Sequence, residues 1–158
     1  MTTVSAGASG VVRRALPFFV AALVCVVAGG LLAAATAYVT TQKTAWATAY
    51  LVLVGGIAQA GLGAALSGLA QRPSVRLAWV VFVLFNAGNV GVLTGQLTGL
   101  VAMTLIGGVV LVAALVVVIV ATRRGVPAHP VLVWGFRVLV VVLAVSIPTG
   151  LLLALFGR

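Results

Sequence analysis

The sequence has no aspartate and no glutamate anywhere in its 158 residues. That absence excludes, within this chain, paired-carboxylate catalysis, carboxylate-held magnesium and a proton relay built on intramembrane acids. A single cysteine, Cys25, and a single histidine, His129, exclude an internal disulfide, a four-ligand zinc site and a bis-histidine haem site. No nucleophile–base pair is evident. The chain is therefore read as not an enzyme, with no cofactor and no metal. Charge of either sign is scarce, at 6% of residues, where a soluble domain carries roughly a quarter. Too few charges are present to cover a water-facing shell. With 64% of residues hydrophobic, the bilayer must supply most of the solvent.

The charge that is present is all basic, giving a formal +9. Nucleic-acid binding would need a clustered basic face. Here the arginines come mostly as short pairs between long apolar runs, which suits topology signals and contacts with anionic lipid headgroups. Arginine outnumbers lysine eight to one beside abundant Ala, Val and Gly, a composition of high-GC bacterial genomes. The expected location is the bacterial plasma (inner) membrane.

Hydropathy and punctuation divide the chain into a cytoplasmic tail, 1–14, and a single transmembrane domain, 15–158. The domain is expected to be an all-α, five-helix transmembrane bundle with spans near 15–38, 45–69, 77–93, 99–121 and 131–156. TTQKT (40–44), QRPSVR (71–76) and RRGVPAHP (123–130) supply connectors, with Pro73, Pro127 and Pro130 as breaks. TGQLTG (94–99) divides a 77–121 block that is too long for one span. An N-terminus inside and a C-terminus outside put Arg13, Arg14, Arg72, Arg76, Arg123 and Arg124 on the cytoplasmic side. Lys43 and Arg158 are then left outside, a positive-inside pattern. Trp46 falls at the outer interface, and Trp79 and Trp134 at the inner one.

Spacing also hints at a duplicated helical hairpin. Gly55–Gly56 stands seventeen residues before Arg72–Pro73, and Gly107–Gly108 seventeen before Arg124–Gly125. A ladder of small residues, Gly56, Ala60, Ala64 and Gly68, suits close helix approach, either within the monomer or between copies or partners. Gly91, Gly95 and Gly99 form a similar series.

Four polar residues fall at membrane depth. Asn86 lies roughly 14 Å from the inner edge of the third span, with Asn89 one turn further along the same face. Gln59 lies roughly 15 Å from the inner edge of the second span, and Arg137 roughly 9 Å from the inner edge of the fifth. Two readings stay open. Either these four converge on a ligand in a polar pocket, or the amides bond neighbouring helices while Arg137 snorkels to headgroups. With no carboxylate side chain in the sequence, Arg137 needs water, a lipid phosphate, a backbone carbonyl, an anionic ligand or another protein's acid.

The segments AWATAYLVLVGGIAQAGLGAAL (45–66) and RLAWVVFVLFNAGNVGVLTG (76–95) resemble small multi-pass proteins related to the cytochrome oxidase catalytic subunit. Those proteins hold haem through helix histidines. The corresponding helices here carry Tyr50 and no histidine, so the resemblance implies a scaffold without the cofactor and carries no activity. The expected role is a noncatalytic inner-membrane bundle. It would act by packing with itself as a homo-oligomer, or with an acidic membrane protein subunit. The alternative is a small oligomeric transporter or channel for a neutral or anionic solute.

Overall fold

The computed structural model describes residues 3–69, 74–123 and 130–156, and the described residues are helical apart from short turns. Five helices follow one another: α1 (Thr3–Ala35), α2 (Gln42–Gly68), α3 (Val75–Thr98), α4 (Val101–Arg123) and α5 (Pro130–Phe156). Among the described residues, four stretches are long and apolar enough to cross a membrane: Arg14–Ala35, α2, α3 and α4. In α5 a shorter apolar stretch, Val133–Ser146, is described. The molecule is an all-helical bundle with the character of a membrane protein.

Local chemistry sets the helix ends. Thr41 and Thr44 form a reciprocal capping box that starts α2. The Ser74 hydroxyl accepts from the Leu77 N–H at 3.0 Å and starts α3. Pro130 opens α5, where its missing N–H costs nothing. Gly99 ends α3 with φ at +76°, a left-handed conformation that favours glycine. The α3–α4 break is therefore the single residue pair Gly99–Leu100, and α3 runs through most of TGQLTG beyond the expected end at 93. Thr94, Gln96 and Thr98 do not stop a helix by themselves. Thr98 satisfies its hydroxyl on its own helix, at the Thr94 carbonyl, 2.7 Å away. At the other end of the chain, α1 already begins at Thr3, so the segment expected as a tail is helical.

Consecutive helices run antiparallel. Phe18 and Gly63 meet across α1 and α2, as do Cys25 and Gly55 nearer the other end. Lys43 Nζ donates to the Leu97 carbonyl at 3.2 Å, joining the start of α2 to the last turn of α3, where a cation meets the unpaired carbonyls of a helix end. This alternation gathers Arg14, Arg76 and Arg123 at one end of the bundle and Lys43 at the other. Arg72, Arg124, His129 and Arg158 lie outside the described residues.

The core is a seam of Phe18, Leu62, Leu66, Val81, Phe85 and Leu111, with Ala65 and Ala114 letting helices close. Lipid-soluble surfaces elsewhere stay apolar: Leu23 on α1 and Val109 on α4 are each about two-thirds exposed. Glycine shapes the contacts because apolar burial drives little helix association in lipid. A Cβ on Gly107 would come within 2.5 Å of the Val92 backbone nitrogen, so α3 and α4 touch main chain to main chain. Gly55–Gly56 faces α1 and Gly107 faces α3, while Gly108 lines a cavity toward α2 and α5.

The middle of α2, Leu51–Ala58, is wound as a π-helix. The members of the small-residue ladder do not share one environment. Gly56 is buried against α1, Ala60 is half-buried, Ala64 lines a groove toward α5, and Gly68 is exposed.

Candidate functional site

The polar interior centres on α2. Thr41 caps this helix, and one turn later Trp46 and Tyr50, four residues apart, stack with ring centroids 4.9 Å apart. Tyr50 is the last residue before the π-helical stretch, and its hydroxyl donates to Asn89 Oδ1 on α3 at 2.8 Å. Within a bilayer such an interhelical bond contributes on average about 0.6 kcal/mol. The Asn89 Nδ2 group remains buried without a partner among the described residues. Gln59, the first residue after the π-helical stretch, is wholly buried, and neither of its amide atoms has a partner among the described residues. A buried polar group left in that state costs roughly 1–3 kcal/mol.

The four residues expected at depth go to different places. Asn86 donates its amide to the Phe82 carbonyl of its own helix at 2.8 Å. It lies in a surface groove between α1 and α3 that includes Val20, Val24 and Cys25. Asn89 turns to α2 through Tyr50. Gln59 is interior. Arg137 is exposed on α5, with its guanidinium 5.9 Å from the centroid of the Trp134 ring. Among the described residues no hydrogen bond links Arg137 to either asparagine or to Gln59.

No family model, no curated protein and no solved structure matches the chain. The site therefore has to be read from its own chemistry.

A cavity of about 340 Å³ adjoins the Trp46–Tyr50 pair, enclosed by α2, α3, α4 and α5. Among the described residues its polar lining comes from Trp46, Tyr50, Gln96, Thr104 and Ser146, and no charged side chain contributes. Gln96 reaches it because α3 continues as helix through the segment expected to be a connector. Thr104 reaches it because Gly95 lets α4 approach: a Cβ there would stand 2.5 Å from both the Thr104 nitrogen and its Oγ1. The sequence signal for this cavity is the Trp46–Tyr50 spacing together with Gln96, which is harder to notice because it sits in a glycine- and threonine-rich segment. The Gly55–Gly56 pair is the one visible sign of the π-helical stretch.

Proposed function

We propose that this chain is a noncatalytic, multi-pass protein of the bacterial inner membrane that works by packing against an acidic membrane partner through α5. It crosses five times, with the N-terminus and the arginine-rich end in the cytoplasm. That orientation rests on the sequence's positive-inside pattern. The observation that carries the partner reading is Arg137. It is exposed on a helix flank that it shares with Trp134, Val138 and Val141, all exposed too. The sequence contains no side-chain acid to neutralise it. A guanidinium at that depth favours a carboxylate or phosphate opposite it, and α5 is also the helix with the sparsest packing against the rest of the bundle. A bidentate acid on a neighbouring helix would supply charge and orientation together.

Purification of tagged protein from native membrane in mild detergent, followed by mass spectrometry, tests this reading. A stoichiometric acidic membrane protein should come through with the wild type and be lost with Arg137→Ala. Recovery of only a homo-oligomer and lipid in both samples would remove the reading's main support.

A second reading, a small oligomeric transporter or channel, is favoured by one observation: the unpaired buried amides of Gln59 and Asn89. Transport would require water to reach that interior. Cysteines placed at positions 59 and 89 should then react with a water-soluble thiol reagent. If neither position reacts, this reading is excluded.

A further inference from the structure

The cavity against α2 has the size of a small-molecule site, which usually falls at roughly 300–1,000 Å³. Along α2 its lining runs from Trp46 to Ala58, roughly 18 Å of helix. Its chemistry is graded along that length. Trp46, Gln96 and Thr104 all lie within two turns of the Lys43–Leu97 end of the bundle. Ser146, well along antiparallel α5, joins them there. Deeper in, the walls are Val54, Ile57, Ala58, Leu111 and Leu139, with no polar side chain among them. Much of the deep wall is the π-helical stretch itself, and such stretches are frequent at functional sites.

Polar groups at the mouth are free to receive a ligand. Among the described residues, the Gln96 carboxamide and the Trp46 indole N–H have no hydrogen-bond partner. Tyr50 is committed to Asn89, and Lys43, bonded to the Leu97 carbonyl, is exposed at the end of the bundle and does not line the cavity. An anionic head inside would thus meet no cation among the lining residues, whereas a hydroxyl or carbonyl would find both a donor and an acceptor.

We infer that this cavity binds a neutral single-tailed lipid, with its hydroxyl or carbonyl head between Gln96 and Trp46 and its hydrocarbon tail along the π-helical wall of α2. The site is separate from the Arg137 flank of α5 and does not depend on a partner bound there. A tail in this position would cover apolar wall that neighbouring side chains leave open. The two mouth groups would fix the head by one or two hydrogen bonds.

The test uses the full chain in a neutral detergent with a long-chain alcohol carrying a photoactivatable group in its tail. Labelling should saturate and fall on Trp46–Ala58 and Leu139–Ser146. Gln96→Leu should weaken half-saturation about five- to tenfold, the scale of one lost hydrogen bond. Leu143→Trp should abolish saturable labelling by filling the cavity. Ala49→Trp, at its exposed rim, blocks entry with less demand on the core and serves where Leu143→Trp does not fold. Unlabelled hexadecanol should compete at least about tenfold better than palmitate, whose charged head has no counter-ion there. Non-saturable labelling spread over exposed positions such as Leu23 and Val109, unchanged by Gln96→Leu and Ala49→Trp, would overturn the site. Equal competition by palmitate would overturn the neutral head.

Discussion

The α3–α4 seam and the seat of α5 join helices in opposite ways. Across the first, Gly88, Gly91 and Gly95 face Leu111, Gly107 and Thr104, and the main chains themselves are in contact. At the second, Gly61 of α2 receives only the tip of Leu139, and open space remains on both sides. Lipid gives no strong hydrophobic reward for bringing two apolar helices together, so the close seam depends on dispersion between backbones. One arrangement gives a rigid hairpin and the other leaves a cavity.

The contrast can be broken most sharply at Gly107. Gly107→Ala must push α3 and α4 apart, because the atoms it meets are backbone and cannot rotate away. We expect a loss of about 3 kcal/mol or more, the upper end of overpacking, read as unfolding in detergent titrations. At Gly61 the same kind of change meets the end of a flexible leucine beside a cavity. Gly61→Ala should therefore cost less than about 1 kcal/mol in the same titration. Equal costs at the two positions would show that the seams do not differ as described.

How far the sequence reveals this depends on what each residue can signal. Missing acids, long apolar runs and paired arginines announce a helical membrane bundle, since no other solvent accommodates them. The start of α5 was legible from Pro130, which fixes a local backbone angle. The end of α3 was not, because Thr94, Gln96 and Thr98 look like a connector but are carried inside a helix that only Gly99 can turn. The π-helical stretch lies where α1 packs on Gly55 and Gly56, and a helical wheel drawn at one pitch cannot anticipate it. Gly56, Ala60, Ala64 and Gly68 likewise meet different surroundings, which their spacing alone does not show. Asn86 and Asn89, one turn apart, also separate: the first bonds its own helix and the second bonds Tyr50.

Smaller effects sharpen the comparison from the polar side. Tyr50→Phe removes the bond to Asn89 and leaves that amide without its Tyr50 donor. The expected cost is about 0.6 kcal/mol, rising toward about 1.7 if Asn89 finds no other partner. A double-mutant cycle with Asn89→Leu measures that coupling, and zero coupling would mean the bond contributes nothing. Arg137→Ala should have the least effect on the isolated protein, within about 0.5 kcal/mol, because the side chain is exposed. A large loss in pure detergent would mean that Arg137 serves the fold and not an association.

The central claim is that the Arg137 flank of α5 meets a partner while the outer face of α1 meets only lipid. A photoreactive residue placed at Val138, beside Arg137, and separately at Leu23 on α1 tests it in native membranes, both positions being exposed. The account predicts a discrete protein adduct from position 138, lost when Arg137→Ala is added, and lipid adducts alone from position 23. Lipid adducts alone from both positions, with no change on Arg137→Ala, would contradict it.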